Sequence, residues 1–181
     1  MSAPVVIKDY DPRWPERFET LRTRISAALG SLAAAIEHVG STAVPGLAAK
    51  PIIDVDVLLR CGDDLPLATE RLHALGYEHQ GDLGIAGREA FRATVTVFPH
   101  HLYVCAPDSS EYGRHIAFRN HLRGNPADAR AYEHLKRSLA NRYGDNRDAY
   151  TLGKTDFIEA ILKRTESVVS EHFPRGARII F

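Results

Sequence analysis

Two aspartates interrupt an otherwise uniformly apolar run in this 181-residue chain, Ile52-Ile53-Asp54-Val55-Asp56-Val57-Leu58-Leu59. So many consecutive apolar, largely β-branched residues read as a central strand buried on both faces. Carboxylates inside such a strand are costly unless they are paired or put to use. Asp54 and Asp56 are two apart, so they share one face of the strand, with about 7 Å between alternate side chains. At that spacing both can reach one divalent cation or a pair of cations.

Upstream, the apolar stretch Ala33 to Val39 runs into Gly40-Ser41 and a loop of small residues ending at Ala49. Gly40 allows close approach of backbone to a ligand, and Ser41 offers a hydroxyl and an amide to phosphate oxygens. A loop that opens a short helix adds further oriented amides. Asp54 and Asp56 would then hold Mg²⁺ between themselves and the same phosphates, because magnesium takes few protein carboxylates and lets substrate phosphate complete its shell. Such a metal aligns an attacking hydroxyl and neutralises charge on the transferred group. The competing structural readings are an ion pair for each aspartate and a helix cap for Ser41.

The flanking pattern predicts an N-terminal strand or extended arm at Val5 to Ile7. Asp11 is expected to cap a helix over Trp14 to Leu29, where Phe18, Leu21, Ile25 and Leu29 fall at helical spacing and Gly30 closes it. Trp14 is expected to anchor the N-terminal turn on the sheet. A helix from Leu65 to Gly76, a strand at Tyr77 to Gln80 and a loop from Gly81 to Gly87 follow. Glu89 to Phe98 and His101 to Ala106 read as antiparallel strands joined around Pro99. Beyond Ser109 three helices are expected, to Gly124, from Pro126 to Tyr143 and from Asp148 to Val169, with the apolar tail Pro174 to Phe181 docked. This divides the chain into an α/β core at 1–107 and a helical portion at 108–181, packed as one unit.

Lysine plus arginine and aspartate plus glutamate balance at 23 each, so no global field points to nucleic acid or membrane. Nor does any alternation of basic and aromatic residues indicate nucleic acid. With no apolar run near 18 residues and no signal-peptide pattern at the first residues, a soluble cytoplasmic protein is the expectation. Cys61 and Cys105 each end an apolar run and are expected as buried small hydrophobes. His115, His121 and His134 stand among charged helical neighbours and are expected at the surface.

Gly40-Ser41, twelve residues, then Asp54-Val55-Asp56-Val57 resembles the signature of the nucleotidyltransferase (polymerase-β-like) superfamily. From about residue 5 to 165 the chain also resembles the GrpB-like family within it. The segments that carry this are Tyr10-Asp11-Pro12 with Trp14-Pro15, Ile36 to Thr42 and Val44 to Asp54. Further on they are Gly87-Arg88 with Phe91-Arg92, His100-His101-Leu102, Phe118-Arg119 with Leu122-Arg123, and Lys154 before Phe157-Ile158. The resemblance implies an α+β fold: a nucleotidyltransferase-like mixed sheet with flanking helices and a helical C-terminal portion. It implies transfer of a nucleotidyl group from a nucleoside triphosphate to an acceptor hydroxyl, with Asp54 and Asp56 catalytic and magnesium-bound and Gly40, Ser41 and Thr42 at the phosphates. Lys50, Arg88, Arg92, Arg119 and Lys154 are the cations assigned to those phosphates.

One departure stands out. Nucleotidyltransferases usually carry a third carboxylate on a neighbouring strand, and the candidate strand His100 to Val104 has no acid; Tyr103 stands where GrpB-like proteins commonly have histidine. In a strand His101 and Tyr103 face one way and His100 and Leu102 the other. His101 is therefore assigned the general-base role. A set of His38, His100 or His101 with Asp54 could instead hold Mn²⁺ or Zn²⁺. The alternatives to transfer are a nucleotide- or phosphometabolite-binding module without catalysis, and a His/Asp metal-dependent phosphoester hydrolase.

Overall fold

A computed structural model describes residues 4–95 and 98–172; the expected docking of the apolar tail falls outside these residues. Period-two alternation governs its five-stranded sheet. The strands are β1 (Ala33–Val39), β2 (Ile53–Leu59), β3 (Tyr77–His79), β4 (Arg88–Ala93) and β5 (His100–Cys105), in the order β1-β2-β5-β4-β3. β2 pairs antiparallel with β1 and parallel with β5, and the remaining pairs are antiparallel. The aspartate strand is thus interior, as its composition demands, while β5 takes the middle position.

One face of this sheet is apolar. Val55 lies between His38 and Leu102, and Val57 between Ile36 and Val104. Two helices, α1 (Trp14–Leu29) and α2 (Leu65–Ala74), cover that face with Phe18, Leu21, Ile25, Leu29, Ala68 and Leu72. Each of the larger of these side chains, alanine apart, contributes roughly 1.5–3 kcal/mol when fully buried. Pro15 sits in the first turn of α1, and Gly30, at φ 57°, stops it. Asp11 does not cap the helix: the capping position belongs to Arg13, and Asp11 instead grips the Arg13 guanidinium at 2.9 Å. That side-chain hydrogen bond holds the Asp11 carboxyl down at about 2. Trp14 is buried in the core, as expected of an anchor.

The other face is polar. It carries Glu37 from β1, Asp54 and Asp56 from β2, His101 and Tyr103 from β5, and Arg88 from β4. Four helices follow the sheet: α3 (Ser110–Gly124), α4 (Pro126–Tyr143), α5 (Arg147–Leu152) and α6 (Thr155–His172). The Ser109 side chain caps α3 by accepting from the Tyr112 amide. Val44 and Leu47, from the loop after Gly40, pack with Leu122, Tyr132, Phe157 and Ile158, which joins the helical portion to that loop.

Several elements differ from the sequence expectation. The final predicted helix is two helices, broken at Gly153-Lys154, because glycine is a weak helix former and Thr155 and Asp156 favour a fresh start. Val5 to Ile7 is extended but joins no strand; the nearby chain makes only an isolated bridge, Lys8 to Ala49. Cys105 is buried as expected, whereas Cys61 lies just past the end of β2 and is exposed. Among the described residues no helix is long and apolar enough to cross a membrane.

Leu102 is fully buried in the middle strand. Its replacement by alanine is expected to lower unfolding free energy by about 2–5 kcal/mol, read as a shifted midpoint in urea denaturation.

Candidate active site

The turn after β1 is built around Gly40, whose φ of 70° is easily reached only by glycine. A β-carbon at this position would overlap the Asp54 carboxylate, so Gly40 and Asp54 occupy each other's space. Parallel pairing of β2 with β5 sets Asp54 beside His101. His101 Nδ1–H donates to Asp54 Oδ1 at 2.8 Å. That bond fixes the tautomer and leaves Nε2 as the acceptor of the ring.

One step deeper, Asp56 is wholly buried and its Oδ2 accepts from His115 Nδ1–H at 2.7 Å. His115 Nε2–H reaches Glu111 Oε1 at 3.2 Å, so both ring nitrogens donate and the ring is an imidazolium. Burial favours the neutral ring, but the hydrogen bonds to Asp56 and Glu111 outweigh it and push His115 up to about 9. Burial likewise raises the Asp56 carboxyl against the pull of His115. His115, expected at the surface, is thus a central member of the buried polar layer. Register also places Glu37 directly opposite Asp56, a repulsive cross-strand pair. Arg119 answers it, donating to Glu37 at 2.6 Å and to the His38 carbonyl at 2.8 Å.

Gly40, Ser41, Thr42, Asp54 and His101 wall a cleft of about 310 Å³, and Lys50, Lys136, Arg147 and Lys154 stand among the residues that complete it. The Lys50 and Lys154 ammonium groups lie 5.1 and 4.7 Å from the centre of the Tyr150 ring. Lys136 lies 4.9 Å from the Tyr132 ring centre and donates to the Ala48 carbonyl. Burial, and then the charge of Lys154, brings Lys136 down to about 7; burial, and then Lys50, brings Lys154 to about 8. Lys50 is lowered by burial and by Arg147. Four cations crowded against one carboxylate make a pocket for a polyanion.

The structure gathers Gly40, Ser41, Thr42, Lys50, Asp54, His101 and Lys154 from the sequence-derived set. Asp56 shares the strand face of Asp54 but is wholly buried and not in the cleft lining, and the remaining candidates are placed elsewhere. Arg88 is buried with its guanidinium 4.2 Å from the Tyr103 ring centre and does not line the cleft. Arg92 is exposed and paired with Glu78 near the β3 edge. Arg119 is committed to Glu37. His38 is on the apolar face, stacked on Phe18 at 4.8 Å and held by burial down at about 4. Its Nε2–H donates to Thr42 Oγ1, which in turn donates to the Ile52 carbonyl, so the Thr42 hydroxyl is occupied. His100 also faces away from the cleft, accepting from the Tyr77 hydroxyl at 2.7 Å and donating to the Phe98 carbonyl. Strand parity separates both rings from Asp54. Among the described residues no three His, Cys, Asp or Glu side chains converge on a metal position, so the His/Asp set for Zn²⁺ or Mn²⁺ does not assemble.

Magnesium is a better match for what is present. Asp56 Oδ1 is buried without a hydrogen-bond partner among the described residues, and Asp54 lies against the Gly40 turn. Two hard oxygen donors completed by substrate phosphate suit that ion. Lys136, Arg147 and Tyr150 were not legible as site residues, because they lie on helices whose charge spacing resembles any solvated face. The break before Thr155 is the one local signal that Lys154 is set apart.

The family described as GrpB protein matches residues 4–164. The chain is 40% identical over 158 residues to UPF0157 protein PA4798 of Pseudomonas aeruginosa, covering 85% of this chain and 64% of that protein. It is 35% identical over 150 residues to YqkA of Bacillus subtilis, covering 83% of this chain but only 44% of that protein. The crystal structure of GrpB from Enterococcus faecalis superposes with a TM-score of 0.80 at 36% identity, covering 90% of this chain and 98% of that one. Terminal uridylyl transferase 4 from Trypanosoma brucei, solved with bound UTP, aligns at a TM-score of 0.51 and 15% identity over 88% of this chain and 53% of that one, a likeness of fold alone.

Gly40→Ala is expected to destabilise the protein by about 1–2 kcal/mol from backbone strain, with the overlap on Asp54 adding to it. Thermal unfolding of Gly40→Ala, Asp54→Gly and the double variant checks this: removing the Asp54 side chain should recover part of the loss, and purely additive effects would count against the close packing of the two.

Proposed function

The chain belongs to the GrpB protein family, and from that premise we propose that it binds a magnesium nucleoside triphosphate and transfers its nucleotidyl group to an acceptor hydroxyl. The observation that carries the proposal is the placing of Lys50, Lys136, Arg147 and Lys154 opposite Gly40, Ser41 and Asp54 in one cleft. The nucleotidyltransferase-like fold supports it.

In this reading the lysines and Arg147 bind the triphosphate, with Arg147 able to take two oxygens at once. The Gly40 turn admits the phosphate backbone closely, and the Ser41 hydroxyl orients it. Asp54, with the unpartnered Asp56 Oδ1 behind it, would hold magnesium, which would supply neutralisation of charge on the phosphates. The acceptor oxygen forms a bond to the α-phosphorus as the bond from that phosphorus to the bridging oxygen breaks, and pyrophosphate leaves with the electron pair. The acceptor proton passes to His101 Nε2, and Asp54 stabilises the imidazolium through the Nδ1 hydrogen bond.

A second reading, nucleotide binding without transfer, is favoured by two observations: the fully buried Asp56 is clasped by His115, and no third carboxylate stands on β5. A nucleotidylated product formed from a broad set of hydroxyl acceptors, and lost in Asp54→Asn, would reject it.

Isothermal titration with Mg²⁺ and each nucleoside triphosphate tests the shared premise, and no heat with any of them sinks both readings. Lys154→Met is expected to weaken nucleotide binding about tenfold or more, while leaving thermal stability unchanged or raised, because it removes a charge crowded by burial. Binding should also depend on pH. Lys136 and Lys154, held down at about 7 and about 8, are partly neutral in the free protein, and an anionic ligand favours their charged forms. Affinity is therefore expected to fall by about tenfold as pH rises from roughly 7 to 9. Proton uptake on binding, read from titrations in buffers of different ionisation enthalpy, checks the sign.

A further inference from the structure

Lys154 lies where an ammonium ion is poorly accommodated. Its carbonyl accepts from the Ile158 amide at 3.1 Å, so Lys154 holds the N-cap position of α6, the positive end of an 18-residue helix. Its side chain lines the lysine cleft together with Gly40, Ser41, Asp54 and His101. There the ammonium lies 4.7 Å from the Tyr150 ring centre, and Lys50 lies 5.1 Å from the same ring. Among the described residues no carboxylate stands at ion-pair distance from it and no acceptor takes its hydrogen bonds. Burial, and then Lys50, outweigh the pull of Asp54 and bring the amine to about 8. Near neutral pH its uncharged share is therefore roughly a hundredfold that of an ordinary lysine. The other two amines of the cleft are placed differently. Lys136 is 2% exposed and donates to the Ala48 carbonyl, which leaves no room for a substituent. Lys50 stands in a loop, away from any helix terminus.

An unpartnered amine set among cations is a nucleophile inside an anion-binding cleft. We propose that Lys154 is an acylation site for acyl phosphates, and that its acylation closes the cleft to polyanions. The phosphate of the reagent docks against Lys50, Arg147 and the Gly40-Ser41 turn, which presents its acyl carbon to Lys154 Nζ. The nitrogen lone pair forms a bond to that carbon as the bond from the carbon to the bridging oxygen breaks. Phosphate leaves with the electron pair and takes up the proton that the amine sheds. The same cations that hold the phosphate neutralise the charge it gains on leaving. The products are an amide at Lys154 and inorganic phosphate, so one of the four cations of the cleft is lost. This rests on the anion-binding part of the nucleotide reading, and not on transfer.

The full chain is incubated at neutral pH with acetyl phosphate and, separately, with S-acetyl-N-acetylcysteamine, which carries the same acyl group without a phosphate. Peptide mass mapping follows each lysine over time. With acetyl phosphate, Lys154 should be acetylated about tenfold or more faster than the exposed Lys8. With the thioester that advantage should shrink by about threefold or more, because nothing draws the reagent into the cleft. Inorganic tripolyphosphate should protect Lys154 and leave Lys8 unaffected. The acetylated protein should bind tripolyphosphate about tenfold less tightly than the untreated protein. Lys154→Arg, which keeps the charge, should bind it to within about threefold of the untreated protein, before and after the same treatment. Equal rates at Lys154 and Lys8, acetylation of Lys50 in its place, an undiminished advantage with the thioester, or no protection by tripolyphosphate each overturns the acylation site. Unchanged affinity of the acetylated protein overturns the closing of the cleft. Acetylation and protection of Lys154 in a protein that binds no nucleoside triphosphate uphold the site and count against the nucleotide reading alone.

Discussion

A carboxylate with no access to water, Asp56, sets the conditions under which the rest of this molecule holds together. Burying one charge is expensive, and breaking such a pair by removing one partner typically costs about 3–5 kcal/mol. The chain meets the requirement with His115, and supports His115 in turn with Glu111. Glu37 lies opposite Asp56 on β1 and would repel it, and Arg119 binds Glu37 from the same helix that brings His115. Helix α3 is therefore docked on the sheet by charge as much as by apolar contact, and its position depends on two acids in the strands.

That arrangement explains why the two faces of the sheet do different work. The apolar face under α1 and α2 gains stability from burial and contains no acid from β2. The polar face costs stability and carries Glu37, Asp54, Asp56, His101 and Tyr103. Burial, with Lys154 beside Lys136 and Lys50 beside Lys154, holds Lys136 and Lys154 at depressed values, and Gly40 sits in backbone space that other residues avoid. Groups arranged against their own stability in one cleft are the pattern expected of a binding site, because a polyanion relieves all of that repulsion together.

Much of the fold was legible from local pattern. The α1 helix, the β1 and β2 strands, α2, and the starts of α3 and α4 follow from periodicity and capping residues, and Gly40 and Asp54 were recognisable as members of one candidate site. The errors share one cause. His38 and His100 were candidates by residue type, yet strand parity sends both to the apolar face. Arg92 belongs to an exposed pair with Glu78, and His115, which looked like a surface residue, is the partner of the wholly buried Asp56. Residue type alone does not say which side of a sheet a helix will cover.

By itself the sequence determined that Asp54 and Asp56 share a face, because a pleated strand repeats every two residues, and that the chain turns sharply at Gly40, because few other residues adopt that backbone. Only the tertiary structure decided who meets them. His101 comes to Asp54 from 47 residues away through parallel pairing, and His115 comes to Asp56 from 59 residues away on a helix. Lys136 reaches the Ala48 carbonyl across 88 residues, which helps close the basic wall. These distances lie beyond any local periodicity. They are set by the register of β2 with β5 and by the burial of charge that holds α3 against the sheet.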